Sequence, residues 1–119
     1  MFCWVAVMYP SGAWKGFWDQ TVYGRQEMSG LVLRFAGGAV EGEGRDVIGR
    51  FTFRGHYDDQ GRVTMVKQYV GRHQVHYEGR YDGEGTIFGQ WSIDDLWKGK
   101  FALSPVRART APDAPIEPL

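Results

Sequence analysis

The chain carries a single cysteine, Cys3. No disulfide can form within it, and packing and hydrogen bonds alone must hold the fold. Net charge is also missing, because 14 Lys and Arg balance 14 Asp and Glu. There is no bulk attraction to nucleic acid or to an anionic membrane, and neither is expected as a partner. The most apolar stretch, Phe2-Cys-Trp-Val-Ala-Val-Met-Tyr9, falls well short of the roughly 20 residues a spanning helix needs, and no basic segment leads it. With no signal peptide, no spanning segment and one thiol, a cytoplasmic location is expected. Cys3 lies in an apolar run and reads as a structural thiol rather than a nucleophile. Nothing points to a metal or a cofactor: His73 and His76 stand three apart on a strand and face opposite ways. No stretch reads as a helix of useful length.

What the sequence does hold is glycine and aromatic residues: 17 Gly, with 5 Trp, 6 Tyr and 7 Phe. These suit tight turns and pleated surfaces and disfavour helices. The chain is long enough for one domain. Residues 1–12 form an apolar leader, 13–104 the folded domain, and 105–119 a Pro-rich flexible tail. The leader is expected to cover part of the domain or to make a homodimer contact.

The hairpin spanning residues 61–79 organises the reading. A three-residue loop Tyr69-Val70-Gly71, with glycine in the left-handed position, pairs Lys67 with His73 and Met65 with Val75. Val63, Met65, Val75 and Tyr77 then share one face with Lys67 and His73, while Arg62, Thr64, Gln74, His76 and Glu78 share the other. The first face is core. The same logic places strands at 13–20, with Trp14, Gly16 and Trp18 on one face, and at 28–36, with a bulge at Ser29-Gly30. Gly37-Gly38 is a two-residue turn pairing Arg34 with Glu41. A turn at Arg45-Asp46 pairs Glu41 with Arg50. The loop 59–61 pairs Phe53 with Lys67. The loop 81–83 pairs Tyr77 with Ile87 and His73 with Trp91. An eighth strand covers 98–103. The fold class is therefore all-β, an eight-stranded antiparallel up-and-down barrel, which leaves no exposed edge.

Gly12-Ala13-Trp14 at the head of the first strand, followed by meandering strands, resembles the calycin group of lipocalins, fatty-acid-binding proteins and avidins. In lipocalins and avidins a Gly-x-Trp opens the first strand, and its Trp plugs the closed end. Avidins follow this Trp with Asn and Ser; here Lys15, Gly16 and Phe17 stand there, so biotin is not implied. The resemblance implies a closed end at Trp14 and a small or apolar ligand at the other end.

Strand alternation puts the turns at 37–38, 59–61 and 81–83 at the Trp14 end. The connector 19–27, the turn 45–46, the loop 69–71 and the loop 94–97 lie at the opposite, open end, which is expected to hold the longest connections. Lys67, Tyr69 and His73 are the expected polar anchors there, and Trp18 and Trp91 the apolar walls. A cationic Lys beside a His suits a carboxylate or other anionic small molecule. On this reading Lys67→Met weakens binding and spares the fold. A structural or protein-interaction module with a packed interior is the alternative. A small isomerase- or cyclase-like enzyme has no specific support, since no nucleophile stands beside a base.

Overall fold

A computed structural model describes residues 9–106. The expected roles of the leader up to residue 8 and of the tail beyond residue 106 lie outside the described residues. The eight strands are β1 (Gly12–Gln20), β2 (Gly24–Ala36), β3 (Ala39–Arg45), β4 (Arg50–Tyr57), β5 (Arg62–Tyr69), β6 (Gln74–Tyr81), β7 (Ile87–Ile93) and β8 (Trp97–Pro105). Each pairs antiparallel with the next, and β8 returns to β1 to close the barrel. Among the described residues there is no helix, and so none long and apolar enough to cross a membrane.

The alternation of burial along each strand follows from the pleat, whose period of two sends successive side chains to opposite faces. On β5, Val63, Met65, Lys67 and Tyr69 point inward and are buried. On β6, Val75 and Tyr77 point inward, while His76 faces solvent. The Gly37-Gly38 turn has φ of 57° and 87°, a pair of left-handed residues that matches the strand twist and that glycine takes without strain. It pairs Arg34 with Glu41 as expected, and the Arg34 guanidinium lies 2.7 Å from Glu43 and 3.5 Å from Glu41 on the outer surface. The slip in the β2–β3 register between Ser29 and Val32 is the bulge read at Ser29-Gly30.

Three hairpins depart from the expected register. Between β3 and β4, Arg45 pairs with Arg50 across the four-residue loop 46–49, so Glu41 faces Arg54 instead of Arg50. Between β5 and β6 the loop is Val70-Gly71-Arg72, and Lys67 faces Val75 instead of His73. Between β6 and β7, Tyr77 faces Trp91 instead of Ile87. Each slip moves the partner by two or four residues. An even slip keeps every side chain on its face, which is why the expected core survives all three. The expected connector 19–27 is also shorter: β2 begins at Gly24, and only Thr21-Val22-Tyr23 turns the chain, held by the Gln20 Oε1 that accepts from the Val22 and Tyr23 N–H groups at 2.7 and 2.8 Å.

The two ends differ, but not through loop length. The longest loop, residues 82–86, lies at the Trp14 end, whereas the longest at the opposite end, 46–49 and 70–73, have four residues each. What closes the Trp14 end is an aromatic plug. Tyr9 is buried there against Trp14, Phe35, Tyr57 and Tyr81, with ring centroids 4.9–6.3 Å apart. Its hydroxyl donates to the Gly61 carbonyl at 3.3 Å.

Candidate functional site

The open end is built from four loops: residues 21–23, 46–49, 70–73 and 94–96. A cup of about 300 Å³ lies between them. Every loop or its border contributes to the lining, through Tyr23, Ile48, His73 and Trp97 among others. The strands below contribute Trp18, Tyr69, Tyr77 and Trp91, among others. The wall is therefore largely aromatic, in the size range of small-molecule sites.

Beneath the cup sits an ion pair. Lys67 is fully buried, and its Nζ donates to Asp46 Oδ2 at 2.7 Å; neither side chain is exposed to solvent. The same carboxylate oxygen accepts from the Tyr69 hydroxyl at 2.7 Å and from the Trp18 indole N–H at 3.1 Å. The other oxygen accepts the Ile48 backbone N–H at 3.0 Å, an Asx turn that folds the 46–49 loop inward. Lys67 donates also to the Tyr77 hydroxyl at 3.2 Å, and its ammonium lies 4.2 Å from the Phe51 ring centroid. A cation so placed costs several kcal/mol to desolvate, and only a close carboxylate with further hydrogen bonds offsets that cost. Asp46 supplies the carboxylate, and the aromatic faces add a weaker attraction.

Burial alone would raise the Asp46 carboxyl. The Lys67 ammonium, with hydrogen bonds from Lys67, Tyr69 and the Ile48 N–H, outweighs it and holds the carboxyl below its ordinary value. Burial pushes the Lys67 ammonium down to about 8, against the opposing pull of Asp46. Burial raises the Tyr69 and Tyr77 hydroxyls far above their ordinary range, and the Asp46 charge adds to it, so both stay protonated.

These shifts set a pH dependence. The depressed Asp46 carboxyl contributes stability that is complete above the unfolded value of about 3.9 and is lost as pH falls through the lower folded value. Lys67 acts on the alkaline side. Between about 8 and its unfolded value the folded state gives up the proton first, so this group adds stability as pH rises. The raised tyrosines remove stability above about pH 10. The urea midpoint of the wild type should fall steeply below about pH 4, and Asp46→Asn should fall less steeply. Equal slopes for the two proteins would mean that the exposed carboxyls Asp19, Glu43 and Asp58, also held low, carry the whole effect.

Of the five residues expected at the site, Tyr69, His73, Trp18 and Trp91 line the cup together. Trp18 and Trp91 meet edge to face at 6.2 Å. The Trp91 indole donates to the Asp19 carbonyl at 2.9 Å, and Gly99, its partner on β8, leaves the room, since a Cβ there would collide with that indole nitrogen. His73 belongs to the loop and not to the strand; it is exposed, with its ring 5.1 Å from that of Tyr69. Lys67 does not line the cup. Its charge is engaged by Asp46, so it is not held free for an anion, and Lys67→Met would remove one of the four donors of Asp46 and cost stability instead of sparing the fold.

The residue that sequence reading missed is Asp46, taken there for an ordinary turn residue. One signal pointed to it: an inward Lys67 demands a carboxylate, and Asp46 is one of the few acids at the open end. Tyr77, on the core face by its pattern, also lines the cup and accepts from Lys67.

The fold and site together define a closed eight-stranded antiparallel barrel with an aromatic cup over a buried ion pair. No protein-family model matches the chain, and no curated protein matches its sequence.

Proposed function

We propose that the barrel is a binding protein that holds a small, flat, uncharged and mainly apolar molecule in the open-end cup. The observation that carries this reading is the composition of the cup. Its walls are Trp and Tyr rings, and at its base the Tyr77 hydroxyl accepts from Lys67 while its own proton has no acceptor among the described residues. A buried donor without an acceptor favours a ligand with a carbonyl, ether or hydroxyl oxygen at that point. Aromatic walls favour a planar ring between them. The pairing of Lys67 with Asp46 leaves the base close to neutral, which supports an uncharged ligand over the anionic one expected from Lys67 alone.

The matched probes 2-naphthol and 2-naphthoate test this. Titration followed by the indole N–H resonances should show 2-naphthol shifting Trp18 and Trp91, and 2-naphthoate binding on the order of tenfold more weakly or not at all. Trp97 is 56% exposed, so Trp97→Ala should leave the fold intact. It should weaken 2-naphthol by about 1 kcal/mol, roughly fivefold. A preference for the carboxylate, or shifts confined to indoles outside the cup, would defeat the reading.

A further inference from the structure

Six of the eight large apolar side chains exposed among the described residues sit at one end of the barrel: Val22, Tyr23, Val47, Val70, Leu96 and Trp97. They fall on all four open-end loops or their borders, so an apolar rim encircles the mouth of the cup. Val22 and Leu96 are each 81% exposed. Exposed apolar tips carry a solvation cost, and clustering at one end marks a contact surface. The three Trp14-end loops carry no such side chain.

The charges around this rim are not balanced, although those of the whole chain are. Arg45 and Arg50 close the 46–49 loop, Arg72 shares the 70–73 loop with Val70, and Lys98 follows Trp97. All four are exposed, and none forms a salt bridge among the described residues. Arg25 is paired with Asp19 at 2.9 Å, and Asp46 is consumed by Lys67. Among the described rim carboxylates only Asp94 and Asp95 remain to oppose the four free cations.

We propose that the open end docks on an anionic lipid surface, with the loop tips entering the headgroup boundary and the four cations facing the phosphates. Apolar tips supply the burial, Trp97 and Tyr23 suit the boundary because each joins an apolar ring to a polar atom, and the cations add a salt-sensitive attraction. A mouth-to-mouth dimer fits less well, because a two-fold contact would set the same unpaired cations toward their copies. If the cup holds an apolar ligand, this orientation turns its mouth toward the bilayer as source or sink. That last clause rests on the proposed function, whereas the docking does not.

Co-sedimentation of the full chain with phosphatidylcholine vesicles, and with mixed phosphatidylcholine–phosphatidylserine vesicles, tests the inference. The wild type should bind the mixed vesicles and bind less as salt rises. The triple variant Val22→Ser, Val70→Ser, Leu96→Ser alters tips that do not line the cup. It should lose vesicle partitioning by on the order of tenfold or more, and keep its 2-naphthol affinity. Phe88→Ser, on the barrel wall, should bind vesicles as the wild type does. No sedimentation of the wild type, equal binding to both vesicle types, or undiminished binding by the triple variant would overturn the proposal; the last would point to the apolar leader. A wild-type dimer dissolved by the triple variant, without vesicle binding, would assign the rim to a second copy and overturn it too. Failure of 2-naphthol to bind would remove the cup reading and leave vesicle docking standing.

Discussion

Asp46→Ala is expected to destabilise the barrel by about 3–5 kcal/mol, the cost of breaking a buried pair by removing one partner. The carboxylate accepts four hydrogen bonds, from Lys67, Tyr69, Trp18 and the Ile48 N–H. Its loss leaves an ammonium under the cup with the Tyr77 hydroxyl and ring faces as company, and leaves the Tyr69 and Trp18 donors unsatisfied. The ammonium can shed its proton, which limits the loss but does not replace the missing acceptor. Lys67→Met should also destabilise, by less, because Asp46 keeps its three other donors. The double variant Asp46→Ala, Lys67→Met should be less damaging than the sum of the two, with a coupling on the order of 0.5–3 kcal/mol, since neither group is then left alone. Urea denaturation of the four proteins at neutral pH measures all of these values. A midpoint for Asp46→Ala equal to that of the wild type would show that water reaches the pair in solution.

The second large effect lies at the other end. Trp14→Ala should cost about 3–5 kcal/mol as a large core truncation. The indole is 3% exposed, packs against Phe35 at 5.4 Å and Tyr9 at 6.3 Å, and donates its N–H to the Pro10 carbonyl at 2.8 Å. Its removal opens the plug and frees the chain that carries Tyr9 into it. The cup lies at the far end of the barrel and shares no lining residue with this plug, so 2-naphthol affinity of the folded protein should not change. A loss below about 1 kcal/mol, or a loss of affinity without a loss of stability, would mean that the plug does not stabilise the closed end.

The zero net charge of the chain speaks against an anionic partner only as a sum over the whole sequence. Charge averaged over a sequence says nothing of its placement once strands bring distant loops to one end. Arg45, Arg72 and Lys98 are scattered along the chain and meet only because alternate turns of an antiparallel barrel share an end. Four of the expected site residues gather at the cup: strand direction brings all four to that end, side-chain parity turns Trp18 and Trp91 inward, and His73 reaches it from the loop. The fifth, Lys67, was given the correct face and the wrong company.

The alternation of Val63, Met65 and Lys67, and the glycine turns, were enough to determine an all-β chain, its inward face and the order of its strands. The pleat has a period of two, and burial punishes every odd slip. Pattern is blind to even slips, which leave each face unchanged. Loop geometry and barrel closure alone decided that Arg45 meets Arg50, that Lys67 meets Val75 and that Tyr77 meets Trp91. The same closure brought Asp46 to Lys67 from 21 residues away. No local rule reaches that far: the pair exists because a charge inside a low-dielectric barrel needs its opposite within hydrogen-bond reach, and the 46–49 loop is where the fold supplied one.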